Sequence, residues 1–349
     1  MQHIQKMFFW GIELTKKYAG LVAVFGFVSG LVSLWLVEKR EHFAQFFALL
    51  MLAGWVWLML EHWLRSGLLS RFGVTLSEDL TRFVTQLLHQ ESLFFALPFF
   101  LAATHWDQPQ ALFTALLVGC ALVAVIDPVY NKILGTRRAW FLAFHSFALF
   151  AVLMVVLPLL FFLTTSQSLI GSLVIAVVLS IPSLRPLLSH AGRWRLPLLL
   201  LLLMMLAGGI WLGRSLVPAP VLRLTEIQLS QQLDYTQRSP GASITEIDVE
   251  SLRQHGLFAF TSVQAPRGLK EHIYHQWIHQ GGEAEHIPLD IQGGRKEGYR
   301  AWTRKQQFPA DPIGLWEIRV VTDSGQLIGS SKFRVVPAAV KPIVTDVKG

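Results

Sequence analysis

The sequence predicts a membrane all-α bundle of about seven transmembrane helices followed by an all-β, immunoglobulin-like sandwich. Three observations predict this. First, the 349 residues are 52% hydrophobic and 15% charged, against about 25% charged in soluble proteins. Second, Leu196–Gly213 runs 18 residues without a charge between Arg195 and Arg214. At about 1.5 Å per residue that approaches the roughly 30 Å of a hydrocarbon core. Third, everything beyond it alternates between polar and apolar residues and is punctuated by Gly, Pro and Asp-Ser-Gly, the pattern of short strands.

The expected spans are 18–37, 43–63, 90–106, 110–127, 139–163, 168–184 and 196–213. Pro109 opens the fourth, Asp127-Pro128 closes it, and Pro182 ends the sixth. Residues 75–90 are amphipathic. Leu80, Phe83, Val84, Leu87 and Leu88 share one helical face, and Thr75 with Glu78 fits a capping box. Two readings fit this stretch: an interfacial helix leading into the third span, or one long tilted span whose polar face turns into the bundle.

Charge orients the bundle. Residues 1–218 carry 15 Lys/Arg against 9 Asp/Glu, and residues 219–349 carry 15 against 14. Threading seven spans with the N-terminus cytoplasmic puts twelve basic residues in inner segments and three in outer ones, a positive-inside pattern. Trp35, Trp106 and Trp211 then mark outer ends, and Trp63, Trp140 and Trp194 inner ends. The expected location is a bacterial inner membrane, multi-pass, with the C-terminal domain periplasmic. The basic excess reports topology and not nucleic-acid binding. The single cysteine, Cys120, excludes an intrachain disulfide or a CxxC site.

The expected domains are a polytopic helical domain (1–218), a linker with the first strand (219–256), a periplasmic sandwich (257–336) and a loose tail (337–349). Seven strand-like stretches recur: VLRLTEIQL, LFAFTSVQA, EHIYHQWIH, EAEHIPLDI, GYRAWTRKQQF, LWEIRVVTD and QLIGSSKFRVV. Short strands at this spacing read as an antiparallel sandwich of the immunoglobulin type.

Candidate sites follow from residue chemistry. His275 and His279 share a strand face but stand about 13 Å apart at roughly 3.3 Å per residue, too far for one metal ion. A cross-strand pair of His275 and His286 is the remaining geometry, and no metal site is expected. Arg300, Trp302 and Arg304 share a face of one strand, with Arg295 upstream. An aromatic ring flanked by guanidinium groups suits stacking on a sugar or gripping an anionic polymer; the alternative places Trp302 in the sandwich core with the arginines at its edge. Glu61, His62, His89, Glu91, Asp127 and His145 are the costly polar residues of the apolar half. All but His145 fall near predicted inner boundaries. No P-loop, GxSxG, HExxH or dinucleotide-binding glycine pattern occurs, so no catalytic residue and no cofactor is expected.

The runs His275-x-Trp277-x-His279, Ile287-Pro288-Leu289, Gly293-Gly294-Arg295, Gly298-Tyr299-Arg300-x-Trp302, Gly314-Leu315-Trp316-Glu317-Ile318 and Asp323 to Gly329 carry a resemblance. Over residues 222–336 the chain resembles a small domain of unknown function from proteobacterial envelope proteins. In one subgroup that domain follows a multi-pass membrane region. The resemblance implies a β-sandwich and no activity, so it assigns no catalytic residue.

The function expected from the sequence is non-enzymatic: a sandwich that binds peptidoglycan, lipopolysaccharide or a periplasmic protein, carried by helices in the lipid bilayer. The alternative is a membrane-embedded enzyme or transporter that uses the polar residues of the helical half.

Overall fold

The computed structural model describes residues 24, 27–28, 31–32, 35, 45–56, 78–184, 192, 195–266, 269–292 and 298–338. Most of the first expected span and of the tail, with Glu61, His62 and Arg295, lies outside the described residues. Among the described residues the continuous helices before the β region are α1 (Gln45–Val56), α2 (Glu78–Ala103), α3 (Ala111–Val125), α4 (Arg138–Phe161), α5 (Thr165–Leu184) and α6 (Arg195–Leu212). A π-helical turn, Val129–Leu134, joins α3 to α4, and a 3-10 turn, Gly213–Leu216, follows α6.

Helix α4 is the core of this layer. Every residue from Ala148 to Leu159 is buried, the mark of a helix that is apolar all round and packed on all sides. Helix α2 runs unbroken for 26 residues with Pro98 inside it, so residues 78–90 and the expected third span form one helix. Its polar side turns inward: Gln86, His89 and Gln90 are buried, while Phe83, Val84, Leu87 and Leu88 are half-buried.

The seven-span bundle is not what the structure shows. Among the described residues one helix, Arg138–Phe161, is long and apolar enough to cross a membrane, and 72% of its apolar window is buried in the protein. The physical reason is that hydropathy registers apolar side chains, whether they face lipid or one another. α3, within the expected fourth span, has 15 residues, about 22 Å at 1.5 Å per residue and short of a hydrocarbon core. The multi-pass inner-membrane placement falls with the bundle, because the positive-inside count presumed seven alternating crossings.

After the helices come β1 (Arg223–Ser230), β2 (Leu233–Asp234), β3 (Ser239–Pro240), β4 (Glu246–Asp248), helix α7 (Val249–His255), β5 (Leu257–Gln264), β6 (Lys270–His279), β7 (Gly282–Gln292), β8 (Tyr299–Lys305), β9 (Gly314–Thr322) and β10 (Leu327–Val336). One sheet has the order β1-β5-β8 and the other β4-β10-β9-β6-β7, with β2-β3 as a separate hairpin. Strand β4 pairs with β10 in parallel, so the larger sheet is mixed. This corrects the purely antiparallel, immunoglobulin-like expectation. β4 is only three residues long, and hydrophobic alternation has no signal at that length.

The two sheets pack face to face on a core of Leu229, Leu257, Ala259, Trp277, Trp316, Ile318 and Phe333. His275 sits inside it with no exposure. Thr261 Oγ1 of β5 lies 3.1 Å from its Nε2 and Thr303 Oγ1 of β8 lies 2.9 Å from its Nδ1. Both ring nitrogens therefore bind hydroxyls of the opposing sheet, and His286, paired with Gln276 and not with His275, lies on the other face. The cross-strand metal pair does not form.

Burial pushes the His275 imidazole down to about 3. The folded state then binds fewer protons than the unfolded chain, so this contribution to stability is fully present above pH 6.5 and is lost as pH falls towards 3. His275→Gln is expected to flatten the acid limb of a plot of denaturant midpoint against pH. An unchanged limb would remove His275 from the acid response.

Helical and β regions share one apolar core. Val217, Leu222, Leu269, Ile273, Val320 and Ile328 belong to the same cluster as Phe99, Phe100, Leu157 and Leu169. Polar contacts pin this junction. Gln326 Nε2 donates to the carbonyl of Val217 at 2.9 Å, Arg214 Nε to the carbonyl of Ser324 at 3.1 Å, and Thr165 to Glu271.

Candidate functional site

Strand β8 alternates strictly. Ala301, Thr303 and Lys305 are buried between the sheets, so Arg300, Trp302 and Arg304 share the outer face. Register places Arg300 beside Ser262, Trp302 beside Phe260 and Arg304 beside Phe258. Trp302 is thus an outer-face residue and not part of the sandwich core. The β2–β3 hairpin folds over this face: Gln228 Nε2 donates to the carbonyl of Gly241 at 2.7 Å, and Arg300 Nη1 donates to the carbonyl of Gln237 at 3.2 Å. Arg304 Nη2 donates to the carbonyl of His255 at 3.2 Å, and its guanidinium lies 5.1 Å from the centre of the Phe258 ring.

These bonds hold both arginines in fixed positions beside an aromatic pair. Tyr235, 64% exposed at the hairpin, meets Trp302 edge to face at 6.1 Å. The result is a half-open strip of Tyr235, Trp302, Arg300 and Arg304. Tyr235 was missed from sequence because it lies in a polar stretch far from the β8 motif; only the hairpin brings it there.

The helical half gathers a different set. His89 is fully buried, with Tyr130 Oη 2.7 Å from its Nδ1 and His145 Nδ1 2.9 Å from its Nε2. Trp55, Phe141 and Phe144 enclose the pair, with Trp55 5.0 Å from the His145 ring. Trp55 Nε1 donates to Ser92 Oγ at 2.9 Å. Asp127 joins a separate chain: Asn131 donates to Asp127 at 2.9 Å and to Gln86 Oε1 at 3.0 Å, and Gln86 donates to the carbonyl of Ala124 at 3.1 Å. Glu91 is half-buried, and its Oε1 has no hydrogen-bond partner among the described residues.

Of the six polar residues singled out in this half, the structure therefore joins His89 to His145 and places Asp127 and Glu91 apart from them. Tyr130 is the partner sequence reasoning passed over. It follows the helix-ending Pro128, and the π-helical turn aims it inward. Both nitrogens of His89 are occupied by protein groups, so neither is open to a ligand. Among the described residues no group of three or more His, Cys, Asp or Glu side chains is placed to hold a metal ion.

Residues 270–335 match a domain described as "Protein of unknown function (DUF2914)", a narrower stretch than the 222–336 of the sequence resemblance. Residues 1–259 match a family described as "Family of unknown function (DUF5924)". No curated protein matches the chain. The seam between the two matches falls inside the β region. β1 and the start of β5 belong to the first and β6 to β10 to the second, although β8 completes the sheet that β1 and β5 begin. The helical layer thus lies within one match that covers most of the chain, the smaller sheet is divided between the two, and the protein belongs to the DUF5924 family of unknown function, with a DUF2914 domain completing its β region.

Proposed function

We propose that this protein is a non-catalytic binding protein whose β region holds an anionic glycan on the strip of Tyr235, Trp302, Arg300 and Arg304. One observation carries the reading. An accessible aromatic pair stands beside two guanidinium groups already fixed by backbone carbonyls. A sugar ring would stack on Trp302 while its acidic substituents met the arginines. Little ordering entropy opposes binding when the cations are preset. Peptidoglycan and lipopolysaccharide offer this chemistry.

The helical layer supports a second contact, with lipid. Leu112, Leu116 and Leu122 of α3, Ile170, Val174 and Val178 of α5, and Leu200, Leu201, Met204 and Met205 of α6 are exposed apolar side chains. An apolar surface of this kind marks an interaction face, and acyl chains match its lack of polar groups.

The test is co-sedimentation of the full chain with peptidoglycan and, separately, with lipopolysaccharide, at low and high salt. The wild type is expected to bind, more weakly at high salt. Trp302→Ala is expected to weaken binding by roughly fivefold or more, in line with about 1 kcal/mol for an aromatic contact, with unchanged circular dichroism. Absence of wild-type binding to both glycans would sink the reading and leave a protein partner as the occupant of the strip.

A further inference from the structure

The junction between the two regions contains a helix cap supplied from the far end of the chain. Helix α5 begins at Thr165, and the amides of a first turn lack intrahelical acceptors. Part of the cap is local: Gln167 N donates to Thr164 Oγ1 at 3.2 Å and Thr164 N donates to Gln167 Oε1 at 3.0 Å, a capping box. The amide of Thr165 goes elsewhere. It donates to Glu271 Oε2 at 2.7 Å, and Thr165 Oγ1 donates to the same oxygen at 2.8 Å.

Glu271 sits at the start of β6, on the face that carries Ile273, His275 and Trp277 inward. It is 2% exposed, and its other oxygen, Oε1, has no hydrogen-bond partner among the described residues. As a neutral acid the carboxyl enters the junction without burying a charge, and its oxygen still accepts from Thr165. As an anion it gains from the two Thr165 donors and the helix start, but its other oxygen is stranded in an apolar junction, and that desolvation outweighs the gain.

We propose that Glu271 is a proton-operated latch: protonated, it holds the β region on the start of α5, and ionised, it loosens that junction. The other polar links described here, Gln326 to Val217 and Arg214 to Ser324, use an amide and a permanently charged guanidinium. They do not change charge near neutrality. The charged groups acting on Glu271 are His272, which favours its ionisation, and Asp323, which opposes it. The first turn of α5, from Thr165 to Ser168, brings no titratable side chain.

Burial, partly offset by the two bonds from Thr165, raises the Glu271 carboxyl from 4.5 to about 7. The docked state therefore binds the proton more tightly than an undocked, solvated carboxyl. Docking is strongest below pH 4.5, weakens by about tenfold per pH unit from there, and is weakest above pH 7.

Hydrogen exchange of the full chain tests this, read on segments 164–170 and 270–276 and corrected for the intrinsic pH dependence of amide exchange. The wild type is expected to lose protection in both segments between pH 5 and pH 8. Glu271→Gln keeps an acceptor oxygen for Thr165 and cannot ionise, so its protection is expected to stay level across the range. Thr165→Val removes a bond that favours the carboxylate, and its midpoint is expected to rise. A wild-type profile that is flat, a pH response that survives Glu271→Gln, or a midpoint unmoved by Thr165→Val would each overturn the proposal.

Discussion

A fragment limited to residues 270–335 is expected to show no cooperative unfolding transition, although those residues coincide with a family match. It lacks β1 and β5, so β8 loses the strand it pairs with, β5, and the rest of its sheet. His275 loses the Thr261 hydroxyl, and the core against Trp277 and Trp316 loses Leu229, Leu257 and Ala259. A chain of this size has little buried area to spare. Extending the fragment back to residue 217 restores the missing strands and is expected to restore the transition. Near-ultraviolet circular dichroism during urea titration reads the outcome directly. A cooperative melt of the short fragment would mean that β1 and β5 are appendages of the domain and not part of it.

Trp316→Ala is expected to destabilise the β region by about 3–5 kcal/mol, the usual range for deleting a fully buried aromatic side chain. Trp316 has no exposure. Its ring stacks on His279 at 4.4 Å and packs against Phe308 and Phe333. Its Nε1 donates to the carbonyl of Pro312 at 2.8 Å, tying the loop before β9 to the core. Alanine leaves a cavity and an orphaned carbonyl. Trp316→Phe retains most of the packing and loses the hydrogen bond, so a smaller cost of about 1–2 kcal/mol is expected. With total stability of domains near 5–15 kcal/mol, the alanine variant approaches unfolding. Chemical denaturation followed by circular dichroism measures both, and equal costs would show that the hydrogen bond, not the ring volume, is what Trp316 contributes.

Sequence alone determined where the seven longer strands form. The seven stretches read from alternation and punctuation are occupied by β1 and β5 to β10, because a strand with one face on a core imposes a period of two on its own residues. It likewise set Arg300, Trp302 and Arg304 on one strand face, since that also follows from the period. Composition identified an apolar, helical N-terminal half, but it did not determine what the apolar side chains face. Ala148–Leu159 are as hydrophobic as a lipid-facing run, yet they are buried in the protein, and only packing separates the two cases.

The tertiary structure decided everything that joins distant residues. It paired β4 with β10 in parallel, put Tyr235 against Trp302, closed Tyr130, His89 and His145 into one network, and set Glu271 under the first turn of α5. No local period records such contacts. Glu271 in particular is one more polar residue in an alternating strand until the chain folds back across 106 positions to Thr165. Its burial, and the charge state that follows from it, belong to the packing of two regions that the sequence writes far apart.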